Sequence, residues 1–444
     1  MDDDRLTGLP GPSRLVHLLD STPPGHGLVL LDIDGFHAHN RDQGHDAGDR
    51  LLRAVAAGLA ETLPDGTHLL RLSGDEFAAI VGCVDEDDLL LEGRALAATV
   101  AGLGAGRSAS CGVALLDGDA RSSVRRVGLA LAAARRSGTG QVCAAPIGGP
   151  PLSHVEQDDL DVRTALRLGD YELHFQPLVI PSSATATTPA TPVGVEALVR
   201  WRRDASELLS PGVFLPTVRR AGLAAEFGAN VLAAALGHWV ATLRSALVVG
   251  NGGEVHAPLL AINVDVEQAE QDGFDELVLH LLRRATVPPE QLIIEVTEAV
   301  LAAPAAVERL RCLRAAGVHV AIDDFGAGPV VLSEVRELPV DIIKVDQVLV
   351  GRLDPSAPDM GLIDDLWRLA SLLGLTLSVE AVESPALAQR ITELGVPLAQ
   401  GYHYARPMPP PEAVAWLRGG WRGGPGAATP GARGGEGVAT PDIE

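Results

Sequence analysis

Lysine is nearly absent from this chain of 444 residues: Lys344 stands alone among 35 Lys and Arg side chains. A GC-rich genome leaves such a bias by letting lysine drift to arginine wherever the fold permits. Lys344 then marks a position that needs a compact, rotatable ammonium and rejects a wide planar guanidinium. Basic charge as a whole is scarce, since 58 Asp and Glu outweigh it and leave a formal charge of −23. That balance argues against generic binding to nucleic acid or to an anionic membrane. An anionic substrate would also be repelled unless local cations, metals above all, reversed the field. Cysteine is rare too, and Cys83, Cys111, Cys143 and Cys312 form no CxxC pair. They read as small buried hydrophobes in a reducing cytoplasm, not as a zinc site or a disulfide frame. No secretory signal opens the sequence, and its most apolar window, 231–250, is broken by His238 and Arg244. That window reads as a buried amphipathic helix, not a membrane span. The expectation is a soluble cytoplasmic protein with neither nucleic acid nor membrane as partner.

What is there is core-forming material, 46% hydrophobic against 21% charged, in a chain too long for a single core. Residues 1–143 read as an α+β domain. Leu28–Asp32 and Ala109–Leu115 are strand candidates, and Asp49–Leu63 and Val124–Arg136 are helical by periodicity. Leu69–Leu72 and Phe77–Val81 form the arms of a predicted hairpin with Ser73-Gly74-Asp75-Glu76 at its tip. Residues 144–157 read as a Pro/Gly-rich linker and 418–444 as a disordered Gly-rich tail. Between them, 158–417 alternates strand and helix. The strand candidates are 172–176, 194–200, 259–263, 291–295, 319–323, 341–344, 375–380 and 397–400. Eight strands in about 260 residues suit a (β/α)8 TIM-like barrel, interrupted by low-complexity insertions at 181–192 and 250–257.

Each of those strands carries a polar residue at or near its end: Gln176, Glu196, Asn263, Glu295, Asp323, Lys344, Glu380 and Gln400. A carboxylate ending one strand commonly caps the next helix. Eight in phase are better explained by convergence on one mouth of a barrel. Glu196, Glu295, Asp323, Asp324 and Glu380 with the Asn263 carbonyl are hard oxygen donors suited to Mg2+ or Mn2+. So many acids in one pocket demand cations, which points to a two-metal site. Two hard metals beside one lysine suit phosphodiester hydrolysis.

The motifs EALVR (196–200), EVTE (295–298), DDFGAG (323–328), KVD (344–346), EAVE (380–383) and QGY (400–402) follow one another in that order. In this they resemble the EAL domain, a cyclic di-GMP phosphodiesterase. The resemblance implies that Glu196, Asn263, Glu295 and Asp323 hold one metal, and that Asp323, Asp324 and Glu380 hold the second. It further implies that Lys344 and Glu380 activate water and that Arg200 grips a phosphate. Gln176, Asp346 and Gln400 would contact substrate, Glu298 would anchor the loop after Asp324, and two copies would pair through the barrel. The product would be linear pGpG. Two departures concern supporting parts: DDFGAGPVVL replaces DDFGTGYSSL, and Ala381 stands where the family has glycine, which tolerates unusual dihedrals.

Residues 1–143, with Asp32, Asn40, Asp49, the SGDEF hairpin and the opening DRLTGLP, resemble a GGDEF diguanylate cyclase domain. Asp32 and Asp75 would share a metal on GTP, and Asn40 and Asp49 would read guanine. Ser73 replaces the first motif glycine, and Thr139 removes a cation near the closing helix. The RxxD product-inhibition motif is absent, with Pro64 and Thr67 at its ends. The expected fold is thus a nucleotide-cyclase-like α+β domain followed by a (β/α)8 barrel. The expected function is Mg2+- or Mn2+-dependent cleavage of cyclic di-GMP beside a degenerate, GTP-binding regulatory domain. A bifunctional enzyme that also makes cyclic di-GMP, or a non-catalytic cyclic di-GMP receptor, are the alternatives.

Overall fold

The run from Leu28 to Ile33 is apolar apart from Asp32 and buried throughout, as a central strand with two covered faces must be. The computed structural model describes residues 3–419 except 24, 84, 105, 146–153, 182–189, 204–206, 248–257, 326–334 and 346–360. Within them β1 (His26–Ile33) is the middle of a five-stranded sheet. Its companions are β2 (His68–Ser73), β3 (Glu76–Gly82), β4 (Ala109–Leu115) and β5 (Val142–Ala144), in the order β2-β3-β1-β4-β5. Period-two alternation sorts the side chains. Val29 and Leu31 face one core with Val55 and Leu96, while Leu28 and Leu30 face another with Val124 and Leu131. The first core is roofed by helices His45–Thr62 and Glu86–Gly102, the second by Ala120–Ser137. The β2–β3 hairpin brings Asp75 to the end of β1, where Asp32 pairs with Glu76 in register.

The stretch expected as a linker is partly structured, since β5 reaches Ala144 and a helix starts at His154 and ends at Leu168. The barrel then follows: β6 (Tyr171–Ile180), β7 (Thr191–Arg202), a short flanking β8 (Leu208–Leu209), β9 (Leu259–Asn263), β10 (Leu292–Thr297) and β11 (His319–Asp323). It continues with β12 (Ile342–Val345), β13 (Thr376–Val379) and β14 (Leu398–Ala399). The order β6-β14-β13-β12-β11-β10-β9-β7 closes because β6 also pairs with β7. Every pairing among β7 and β9–β14 is parallel, but β6 runs antiparallel to both of its neighbours. The barrel is therefore not uniformly wound: β6 and β7 form an antiparallel pair.

The two predicted insertions lie largely outside the described residues, as does the chain beyond 419. The apolar window at 231 onward is helical as expected, in helix Ala224–His238, a π-turn Trp239–Leu243 and a last turn to Leu247. No described helix is long and apolar enough to cross a membrane.

Inside the barrel, Leu178, Ala261, Ile293, Ala321, Ile342 and Leu398 form an apolar plug. Two residues further along the parallel strands stand Asn263, Glu295, Asp323, Lys344 and Gln400. One pleat step keeps each side chain on the inner face. On antiparallel β6 the step runs backwards, so Gln176 lies two residues before Leu178. The plug sets the floor of the site, and the residues one step above it face the mouth.

Candidate active site at the barrel mouth

Sequence reasoning places the eight polar residues at or near strand ends, Glu196 already lying inside its candidate strand 194–200. In the structure Gln176 and Glu196 lie within β6 and β7, directly paired across the two strands. The long β6–β7 arms extend beyond the barrel rim, so mid-strand positions reach the level that the short parallel strands reach at their ends. All eight nevertheless belong to one hydrogen-bonded and ion-paired network.

Lys344 is its centre and is only 2% exposed. Its Nζ lies 2.5 Å from Glu380 Oε1, 2.7 Å from Glu295 Oε2, 3.3 Å from Asp323 Oδ1 and 3.9 Å from Glu196 Oε2. On the far side of Glu196, Asn263 Nδ2 donates to Oε1 at 2.7 Å and Gln400 Nε2 donates to Oε2 at 2.7 Å. Gln400 Nε2 also reaches Gln176 Oε1 at 2.9 Å, and Gln176 Nε2 donates to the Ala405 carbonyl. The turn after Gln400 requires glycine, because a Cβ on Gly401 would come 2.2 Å from the Val382 backbone nitrogen.

Burial and charge divide the acids. Burial alone would raise the Glu196 carboxyl, but Lys344, Gln400 and Asn263 outweigh it and hold it below its usual value. Glu295 is pushed well up by burial and then by the neighbouring Glu196 charge. Glu380 rises to about 7, again through burial first, with Lys344 opposing and Asp323 adding to the rise. Burial works against the Lys344 ammonium, yet the four surrounding acids keep it charged far above neutral pH.

Among the described residues no three acidic, His or Cys side chains stand as a finished metal shell, because the acids are turned toward Lys344. The donor set still fits a hard divalent cation. It is all oxygen, and Glu295 Oε2, Asp323 Oδ1 and Glu380 Oε1 are buried without a directed hydrogen bond, meeting only the ammonium's charge. Asp324, next in line, adopts φ 53°, a left-handed conformation that Asp tolerates better than most residues. Ala381 does the same at φ 49° with no such tolerance.

Arg200 shares the inner face of β7 with Glu196, four residues on, and stands at the rim with its Nη1 bonded to the Val199 carbonyl. Glu298 is buried in the first position of the short helix Glu298–Leu301. The loop it is expected to anchor, 326–334, and the expected substrate contact Asp346 lie outside the described residues.

In the first domain Asp32 and Asp75 come together as expected. Asp32 is raised to about 8 by burial and then by Asp75, and Asp75 to about 6 by burial and then by Glu76. Two such acids share one charge unless a cation joins them. Arg135, in the last turn of helix Ala120–Ser137, is ion-paired with Asp32 and reaches Glu76 at 3.8 Å. Asn40 and Asp49 lie on neighbouring helices, and Asn40 Oδ1 is buried without a partner. Gly48 makes room for it, since a Cβ there would lie 1.8 Å from that oxygen.

Sequence reading misses four barrel-side residues that meet this face: Arg167, Glu226, His280 and Arg284. In the sequence they are ordinary charged positions on amphipathic helices, and no spacing marks them out.

The fold and site together define a two-domain α/β protein whose closed barrel carries an acid-lined mouth. The family described as EAL domain matches residues 159–407, and that described as diguanylate cyclase, GGDEF domain, matches residues 3–141. The chain belongs to the EAL domain family, with a GGDEF domain ahead of its barrel. The bifunctional diguanylate cyclase/cyclic di-GMP phosphodiesterase MucR of Pseudomonas aeruginosa is 31% identical over 404 residues, covering 87% of this chain and 56% of MucR. The cyclic di-GMP phosphodiesterase NbdA of the same organism is 30% identical over 445 residues, covering 94% of this chain and 54% of NbdA. The chain thus spans a little over half the length of these relatives. The structure of the EAL enzyme Bd1971 with cAMP and cyclic di-GMP bound shares the barrel fold. Its TM-score is 0.54 at 22% identity, covering 59% of this chain and 69% of that one.

Proposed function

We propose that this chain is a metal-dependent phosphodiesterase that hydrolyses cyclic di-GMP to linear pGpG. The observation that carries it is the meeting of Glu196, Glu295, Asp323, Glu380 and Asn263 around the buried Lys344. In this reading Glu196, Asn263, Glu295 and Asp323 would hold one Mg2+ or Mn2+, and Asp323, Asp324 and Glu380 a second. Bound there, the ions would supply an acidified water and neutralise phosphoryl oxygens.

The chain's own groups do the rest. The water oxygen bonds to phosphorus as the bond from phosphorus to the leaving ribose oxygen breaks. Glu380, poised near neutral pH, takes the water's proton, and a proton from solvent completes the leaving ribose hydroxyl. The Lys344 ammonium faces the developing negative charge and holds the acids in place. Arg200 at the rim grips a substrate phosphate, as Gln176, Gln400 and Asp346 orient the rest of the molecule.

The first domain (1–143), joined through 144–157 to a barrel over 158–417, binds GTP in this reading without condensing it, and regulates the barrel. Ser73 at the phosphate turn and the capture of Arg135 by Asp32 support that view. A cytoplasmic location and pairing of two copies through the barrel complete the proposal.

The test incubates pure protein separately with cyclic di-GMP and with GTP, in Mg2+ or Mn2+, and separates products by chromatography. pGpG from cyclic di-GMP, with none of the dinucleotide made from GTP, is the expected result. Cyclic di-GMP bound but returned intact would make the barrel a receptor. Cyclic di-GMP formed from GTP would make the first domain a working cyclase.

A further inference from the structure

The acid-bearing face of the first domain looks at the barrel, not at solvent. A cleft of about 1150 Å3 separates them, lined by Asn40, Asp49, Ser73 and Asp75 on one side and by Glu226 and His280 on the other. Contacts at three places bridge it or close its edge. Ser73 Oγ donates to Glu226 Oε1 at 2.8 Å, beside the hairpin turn. Glu76 is gripped by a buried two-point fork from Arg167, with Nε to Oε2 at 3.0 Å and Nη2 to Oε1 at 2.9 Å. Asp49 Oδ2 faces His280 Nε2 at 3.3 Å and Arg284 Nε at 3.7 Å. His280 also meets Asp46 there, Nδ1 to Oδ1 at 3.3 Å.

These partners share one pattern. A metal-bound guanosine triphosphate would bring anionic oxygens to the hairpin turn, positive charge to the acids, and the guanine ring N–H and amino donors to Asp49. The barrel brings a carboxylate to the turn, a guanidinium to Glu76, and an imidazole and a guanidinium to Asp49. Glu226 matches the phosphate in charge and in accepting from Ser73, Arg167 matches the cation in charge, and His280 and Arg284 offer N–H groups to Asp49 as the base would.

We infer that the barrel masks the nucleotide face of its own first domain by imitating the ligand, so that docking of the barrel and binding of GTP exclude one another. The inference rests on the reading of that face as a nucleotide site. Two negative groups cannot both occupy the turn at Ser73, which sets Glu226 against a triphosphate. The Arg167 fork is the most buried of these contacts, with Arg135 as a second, more distant cation beside Glu76. The same cleft extends to Asn263 at the barrel mouth, so lifting the mask alters the surroundings of the hydrolytic site. By linkage, whatever GTP does to cyclic di-GMP affinity, cyclic di-GMP must do to GTP affinity.

Fluorescence anisotropy of mant-labelled GTP with Mg2+, on the full chain, tests this. Wild type is compared with Glu226→Ala, Arg167→Met and His280→Ala, each checked for folding by circular dichroism. Apparent affinity scales with the unmasked fraction, so each variant is expected to bind about 10-fold tighter or more. His280→Ala carries the test if Arg167→Met fails to fold. Adding Asp49→Ala to His280→Ala should abolish the binding. The sign decides, since a site built jointly by both domains would lose affinity when Arg167 or His280 is removed. Weaker or unchanged binding in folded Arg167 and His280 variants overturns the mask while leaving the nucleotide reading standing. Absence of binding in wild type and in every folded variant overturns the nucleotide reading, and the mask with it.

Discussion

Lys344 Nζ lies 2.7 Å from Glu295 Oε2, and both residues are 2% exposed. A charge pair so deep costs several kcal/mol in lost hydration for each ion unless its partners are well placed. Here Glu380 and Asp323 close the remaining sides. One compact ammonium touching three carboxylates is a geometry that a planar fork cannot copy in the same volume.

Lys344→Arg is therefore expected to lose hydrolysis by about 100-fold or more while keeping the fold. Lys344→Met should do worse, losing activity and about 3–5 kcal/mol of stability through the stranded acids. Steady-state kinetics and urea denaturation check the pair. Near wild-type turnover in Lys344→Arg would remove the ammonium from the mechanism.

Chelation should abolish hydrolysis, with Mg2+ or Mn2+ restoring it and Ca2+ inhibiting because its looser shell relaxes in-line geometry. Glu295→Gln or Asp323→Asn should stay inactive at saturating Mg2+. A rate indifferent to chelators would dismiss the ion from the reaction.

Ala381 follows Glu380 and sits at φ 49°, where an L side chain costs about 1–2 kcal/mol. Ala381→Gly is expected to stabilise the chain by about 0.5–1 kcal/mol, the gain in native strain being partly offset by a floppier unfolded state. The midpoint of urea unfolding reads this directly, and a lower midpoint would contradict it.

Asp32 titrates at about 8 and Asp75 at about 6 in the folded chain, against an ordinary 3.8. A carboxyl raised on folding favours the folded state while it keeps its proton. Its contribution is fully present below about pH 4 and is lost as pH rises through about 6 and then about 8. Without added metal, wild type should lose stability from pH 5 to 9 relative to Asp32→Asn, whose side chain carries no charge at any pH. Parallel melting curves for the two proteins across that range would refute the coupling.

GTP is expected to change the rate of cyclic di-GMP cleavage in wild type and to leave Asp49→Ala unaffected. Hydrolysis assays with and without GTP in both proteins are sufficient, and equal rates throughout would reduce the first domain to a structural partner.

Much of the site is legible in the amino-acid order alone. Asn263, Glu295, Asp323 and Lys344 can be placed because strand residues alternate faces: one short apolar run fixes which side chains point inward, and the next polar residue in phase must share that face. Motif order supplies the likeness to a known family, and the rare lysine marks the centre of the network. The Asp32–Asp75 meeting is legible only through the family likeness, because β1 and the β2–β3 hairpin are far apart in the chain and pair only in the assembled sheet.

Other relationships depend on the assembled molecule. Gln176 comes from an antiparallel strand, so its inward position runs against the direction of its neighbours, and no local pattern reveals a strand's polarity within a barrel. Arg167, Glu226, His280 and Arg284 look like solvated helix faces in the sequence. Amphipathic periodicity says which side of a helix is polar but not whether water or another domain covers it. Sequence determines local conformation and facing through forces that act over a few residues. Which charged surfaces meet across the cleft is decided by the docking of the two domains, where Asp49 and His280 come together because the packed elements carry them there.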